Sequence, residues 1–311
     1  MTQETKNKRL ALSLAVLTAV TVMVGLMIRQ QSSSDIDKDL FKVADQVNIN
    51  QVILQRGSTP IELKYNRTLW LVNNQEADRQ LIKVFFAAIL QAEPKRKLTG
   101  AAADSLRSKM SSSGTSVTLS EGGQVVKAFH VLGSSSTSET YYQLAKDEDI
   151  YVVTIPGYRV YLASIFELSE NDWRDKRIFN FNWQNFKSLT ATFKASPTQN
   201  FSMSFQNQYF GIEGMLQADT TKVNDYLDAV SLLRADKILN AEEQKQYDTL
   251  SSSPDFTIAV SDIANRVMTL EVYIQPAQIL GRWNQKEWVI LSLRAVQPIA
   301  RRRSDFMPAA R

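Results

Sequence analysis

The densest group of side chains able to do chemistry is SENDWRDKR, Ser169 to Arg177. It sets the carboxylates of Glu170, Asp172 and Asp175 among the cations of Arg174, Lys176 and Arg177, around one indole, Trp173. Two chemistries fit. Asp172 and Asp175 would serve as paired acid and base groups on an envelope polymer, because glycoside cleavage needs two carboxyls. Alternatively, Arg174 and Asp172 beside Trp173 would bind an anionic or amide-rich partner, since a guanidinium presents a rigid fork of donors. A structural reading competes with both. Ser169 with Asp172 fits a capping box opening a short helix. Trp173 would then tuck beneath a domain joint that Arg174 and Asp172 lock. The candidate binding residues are Trp173, Arg174, Asp172 and, just upstream, Tyr158.

Other chemistry is narrowly bounded. The chain has no cysteine and one histidine, His130. Disulfides, thiolate metal sites, iron–sulfur clusters, cysteine nucleophiles and multi-histidine zinc sites are excluded. His130 falls in a strand over 124–132, on a face with Val126, Ala128 and Leu132. It reads as a partly buried strand residue, because no G-x-S-x-G elbow supplies a nucleophile for it to activate. Asp147-Glu148-Asp149 lacks the spacing of a calcium loop and reads as an acidic hairpin tip. No catalytic residue, metal ligand or cofactor site is expected. Tyr141, Tyr142, Trp283 and Trp288 would make a glycan- or peptide-binding face if exposed, and hairpin core if not. The net charge of +4 is spread along the chain, so no nucleic-acid footprint is expected.

The elements that position these residues begin with an apolar run. Leu10–Ile28 holds 19 residues without a charge. As a helix it is about 28 Å long, close to the hydrocarbon thickness of a bilayer. Lys6, Lys8 and Arg9 precede it, which keeps the N-terminus cytoplasmic. No small-residue cleavage pattern closes it, so an uncleaved single-pass anchor in the inner membrane is expected, with the bulk of the chain extracytoplasmic. The joint lies where Tyr151–Ile155 breaks at Pro156-Gly157. The segments on its two sides repeat one order. Val52 and Leu189, Ile61 and Phe201, Trp70 and Phe210, Asp78 and Lys222, Val117 and Thr257, Val126 and Met268, Tyr142 and Trp283, and Tyr151 and Trp288 are separated by 137 to 144 residues. A single period seen twice indicates domain duplication.

The expected fold class is therefore α+β: an N-terminal transmembrane helix followed by two tandem similar domains. Each is an antiparallel sheet with one main packed helix. The expected division is a cytoplasmic N-terminus over 1–9, the anchor over 10–28, a linker over 29–46, the first repeat over 47–168, the joint over 169–184, the second repeat over 185–298 and a basic tail over 299–311. The tail's Arg301-Arg302-Arg303 reads as flexible, or as a contact for anionic headgroups. The main helices are expected over Asp78–Gln91, with Leu81, Val84, Phe85, Ala88 and Ile89 recurring on one face and Pro94 with Lys95-Arg96-Lys97 closing it, and over Lys222–Ala235.

The joint also carries a resemblance. YVVTIPGYRVYL followed by ENDWRDKRIF is similar to the DUF4340 proteins of bacteria, through Tyr151, Val152, Val153, Ile155, Pro156, Gly157, Tyr158, Glu170, Asn171, Asp172, Trp173, Arg174, Ile178 and Phe179. It extends loosely over Val47–Ile274. The resemblance implies a membrane anchor and a link, for some relatives, to auxiliary components of gliding-motility-type ABC transport systems. It transfers no catalytic residue, since that family carries no assigned activity. Together these readings point to a non-enzymatic extracytoplasmic binding or scaffold protein. Its partners would be the bilayer, through Leu10–Ile28, and an envelope protein. The rival readings are a carboxylate-dependent enzyme and a glycan- or peptide-binding module.

Overall fold

The computed structural model describes residues 13–24, 36–43, 49–145, 149–206, 209–247 and 253–308. A helix, α1, covers 13–24 of the expected anchor, and all of it is exposed; the flanks at 10–12 and 25–28 lie outside the described residues. Among the described residues no helix is long and apolar enough to cross a membrane. Strands β1 (Gln51–Gln55), β2 (Pro60–Tyr65), β3 (Trp70–Val72) and β4 (Gln75–Glu76) lead into helix α2 (Arg79–Gln91). Next come β5 (Glu93–Lys97), helix α3 (Ala101–Ser113), β6 (Thr115–Glu121), β7 (Gln124–Ser134), β8 (Glu139–Leu144) and β9 (Ile150–Thr154). The joint holds a short helix, α4 (Glu170–Trp173). Then follow β10 (Phe186–Thr192), β11 (Phe201–Gln206), β12 (Tyr209–Ile212), α5 (Thr220–Ser231), β13 (Lys237–Ile238) and α6 (Ala241–Lys245). The chain closes with β14 (Phe256–Asp262), β15 (Val267–Ile274), β16 (Ile279–Trp283), β17 (Glu287–Leu291) and α7 (Leu293–Val296).

Two antiparallel sheets make the fold α+β, and the chain divides into two compact units. Unit 1 takes the described residues up to Pro60 and Phe85–Glu167; unit 2 takes Ile61–Val84 and Leu168–Arg311. The segment Ile61–Val84, inside the first expected repeat, thus groups with the second unit.

In unit 1 the strand order is β1-β6-β7-β8-β9-β5. The β6–β7 turn is Gly122-Gly123 with both φ positive, which only glycine adopts without strain and which matches strand twist. On one face Phe129 of β7 and Tyr142 of β8 stack at 5.1 Å, and Phe41 and Phe166 meet them edge-on. On the other, Ala103 and Met110 of α3 cover Tyr141, Ile150 and Val152, with Leu132 alongside. His130 is a half-buried β7 residue, opposite Ser116 and Gln143 in register.

In unit 2 the strand order is β12-β11-β10-β14-β15-β16-β17-β13. Helix α5 buries Val223, Tyr226, Leu227 and Val230 against Leu189, Phe201, Met203 and Val260. Asp219 caps it, accepting from the N–H groups of Thr221 and Lys222. A further antiparallel ladder, β2-β3-β4, lies in the same unit.

The two strand orders correspond. The run β10-β14-β15-β16-β17-β13 repeats β1-β6-β7-β8-β9-β5 element for element, and hairpin β11–β12 repeats β2–β3. Three details depart from the sequence expectation. Pro94 through Lys97 were expected only to close the α2 helix, yet they form β5. Proline and lysines are tolerated there because the strand is a sheet edge with a register shift between Pro94 and Arg96. Val84, expected on the buried face of α2, is exposed; Ile82, Phe85, Ala88 and Ile89 are the buried set. The residues from 299 are no free basic tail as far as 308. Ile299 and Phe306 are in the core, Arg301 Nη1 donates to Lys222 O, and Arg303 Nη2 donates to Glu213 O and Gly214 O.

Candidate functional site

The joint begins with Ser169, whose extended backbone and hydroxyl end one segment and start α4. Its Oγ accepts from Asp172 N–H at 3.4 Å, and Asp172 Oδ2 accepts from Ser169 N–H at 3.1 Å and Ser169 Oγ–H at 2.6 Å. This is the capping box that the S-x-x-D spacing predicts. Asp172 is thereby committed to the backbone, with Lys176 Nζ at 3.8 Å as a weaker partner.

One turn of helix rotates the next two side chains to opposite fates. Trp173 is 0% exposed and is the largest fully buried side chain. Its carbonyl accepts from Asp78 N–H at 2.8 Å, which fastens α4 to the start of α2. Arg174 is 7% exposed. It meets Glu287 as a bidentate pair, Nη1 to Oε1 at 2.8 Å and Nη2 to Oε2 at 2.7 Å, and Nη1 also reaches Asn171 Oδ1 at 3.2 Å. Arg174 therefore does not pair with Asp172, as expected from sequence, but with a residue at the head of β17.

Asp175 enters a second ion cluster. Arg177 Nε donates to Asp175 Oδ2 at 2.6 Å, Arg177 Nη2 to Glu76 Oε1 at 3.2 Å, and Arg234 contacts both Asp78 and Asp175. The Asp175 carboxylate holds the Arg177 guanidinium above its ordinary range. Asp172 and Asp175, the carboxylates a hydrolase would need, each answer a local structural partner.

Beside α4 lies an open cleft wholly within unit 2. Its walls are Glu170, Asn171, Asp172 and Arg174 on one side, Lys237 through Ala241, Glu243 and Gln244 on the other, with Gln75 and Glu287 at the ends. Asn171 Nδ2 donates to Ile238 O at 3.3 Å across it, and Asn73 Nδ2 donates to Glu170 Oε2 at 2.7 Å beneath. The far wall is a second capping box, Asn240 with Glu243. Lys237 and the Asn240 N–H hold the Glu243 carboxyl below the usual carboxylate range. The cleft is polar, shallow and lined by both signs of charge. Its walls present backbone, amide and ion-paired groups.

Of the candidate binding residues, Asp172 and Arg174 line this cleft, and Trp173 supports it from the core. Tyr158 does not join them. It is 67% exposed in unit 1, following a type II turn in which Pro156 presets φ and Gly157 takes φ of 80°. Of the two readings left open for the hairpin aromatics, the structure shows core: Tyr141, Tyr142 and Trp288 are buried, the last against Tyr273 and Tyr247, and Trp283 is half-buried. Asp147 and Glu148 lie outside the described residues. Sequence reasoning missed Glu287, which lies 113 residues from Arg174, too far along the chain for any local pattern to pair them. The N-A-E-E spacing at Asn240 was a legible cap signal.

Residues 70–251 match the family model described as Domain of unknown function (DUF4340). No curated protein and no solved structure matches the chain.

Proposed function

We propose, from the premise that the chain belongs to the DUF4340 family, that it is a non-enzymatic binding or scaffold subunit of an envelope complex. It is held to the inner membrane by Leu10–Ile28 and docks a partner protein in the cleft beside α4 outside that membrane. The observation that carries this reading is the state of the joint. Arg174, Asp172 and Asp175 are spent on fixing α4, and what remains open beside them is a rigid polar surface rather than a pair of free carboxyls. Rigid, pre-organised surfaces bind partners at low ordering cost. The anchor is supported by the uncharged run, the basic residues before it, and the exposure of Leu14, Leu17, Val20 and Met23 along α1.

The test is a crosslinked pull-down of the full-length chain from membranes after mild detergent extraction. Beside it runs Ala241→Trp, which fills the cleft mouth from an exposed position without removing a contact. One stoichiometric envelope protein recovered with the wild type and lost with Ala241→Trp is the expected result. Recovery of the chain alone, or of the same partner with both forms, overturns the assignment.

A further inference from the structure

A second site lies at the other end of the same sheet. Trp183, Phe205, Tyr209 and Phe210 form one wall of a cleft, and Thr220, Asn224 and Asp228 form the other. The four-residue spacing of Thr220, Asn224 and Asp228 puts them in a stripe along α5. Trp183 and Phe205 both pack on Phe210, at 5.0 Å and 5.2 Å with ring planes inclined by 48° and 63°. Trp183, Phe205 and Tyr209 are nevertheless 47%, 61% and 66% exposed. Three large rings left in water at one place are a cost to the unit alone and mark a binding surface.

The acid is the second observation. Among the described residues Asp228 has no ion pair, and no lysine or arginine lines the cleft. It sits in the last turn of α5, where the helix dipole disfavours negative charge, so helix stability does not account for it. The first copy of the motif supplies the contrast. Tyr65 and Trp70 pair across β2–β3 as Phe205 and Phe210 do across β11–β12, each ring 140 residues from its counterpart. Aligned on their caps, Asp78 and Asp219, Thr220 and Asn224 correspond to Arg79 and Lys83. The second hairpin's helix carries neither cation at these positions.

The geometry points to a site for a quaternary or methylated ammonium group, set against the wall of inclined rings and answered by the Asp228 carboxylate. A cation over ring faces is attracted by their quadrupoles, and a carboxylate adds the opposite charge. A neutral sugar would leave that charge unanswered, and an anion would be repelled by it.

Calorimetric titration of the full-length chain in detergent with choline, and with its neutral isostere 3,3-dimethylbutanol, tests this. Saturable choline binding is expected, with the neutral compound weaker by roughly tenfold or more. Asp228→Asn should weaken choline by roughly tenfold at an unchanged thermal midpoint, and Trp183→Ala should abolish binding. Competition by phosphatidylcholine vesicles, but not phosphatidylglycerol vesicles, would assign the group to a lipid headgroup; no competition would assign it to a soluble ligand. Equal binding of the neutral isostere, absence of choline binding, or an Asp228→Asn form that binds as the wild type does, overturns the proposal.

Discussion

Two hairpins of unit 2, β2–β3 and β11–β12, each lead to a capped helix but differ in what surrounds the cap. In the first, the chain leaves β4 into the cap residue Asp78, and that cap is claimed twice. Its Oδ1 accepts from the N–H groups of Gln80 and Leu81, and its Oδ2 meets Arg234. Glu76 beside it takes Arg177. The first piece is therefore bolted to the joint. In the second, Asp219 caps α5 through the same geometry, and the wall beyond it is left open with rings and an acid, Asp228, that has no ion pair among the described residues. Two hairpins of the same strand pairing are thus tied into the unit in one case and left beside an open cleft in the other. The difference lies in a handful of charges, not in the order of strands.

The largest effects should come from removing what bolts the joint. Trp173→Ala empties a fully buried indole site, and a loss of about 4 kcal/mol in urea unfolding is expected. No core residue of the open aromatic cleft should match it: Trp183→Ala, at an exposed ring, should cost under about 1 kcal/mol. Arg174→Ala leaves Glu287 without its partner, at roughly 3 kcal/mol, less than a wholly buried pair because Glu287 keeps some solvent. Arg174→Lys should recover only part, since a lysine cannot make both hydrogen bonds.

The caps then compare the two copies directly. Asp219→Ala should cost about 1 kcal/mol, the ordinary value of an N-cap. Asp78→Ala should cost more, about 1.5–2 kcal/mol, because it also releases Arg234. Equal losses would mean that the ion cluster contributes nothing.

A pH series offers the smallest and finest distinction. The β6–β7 turn of the first copy is glycine alone, whereas its counterpart after β14 is tied by a carboxylate. Asp262 accepts from Arg266 N–H at 2.9 Å and Arg266 Nε at 2.7 Å. The Arg266 backbone N–H, with its guanidinium, holds the Asp262 carboxyl below the usual aspartate range. A depressed folded-state pKa contributes stability that is present above the unfolded aspartate range and lost as pH falls through the folded value. The unfolding midpoints of wild type and Asp262→Asn should therefore differ at neutral pH and converge in acid. A constant gap across that range would sink the attribution.

How much of this was legible in sequence depends on the range of the interaction behind each feature. The corresponding strand orders were legible because strand alternation is local and recurs in both sheets; Trp70 with Phe210 and Ile61 with Phe201 are examples. The α4 capping box was legible for the same reason. The strand β5 was not, because Pro94 and three basic residues look like a helix stop until a partner strand gives them an edge to occupy. Glu287 and Arg234 were invisible as partners of the joint, since an ion pair across a fold leaves no periodic trace. The aromatic cleft was half legible. Its rings alternate along β11 and β12, but only the packing of α5 shows that Asp228 stands across from them.

The most direct measurement uses the absence of cysteine. Ala241→Cys places a single thiol at the cleft mouth of the full-length chain. Intact cells, with the outer layer made permeable and the inner membrane sealed, are treated with a membrane-impermeant maleimide carrying a photo-crosslinker. The account predicts labelling without opening the inner membrane, and on illumination one adduct with an envelope protein. Labelling only after the inner membrane is opened, or an adduct with no other protein, would contradict it.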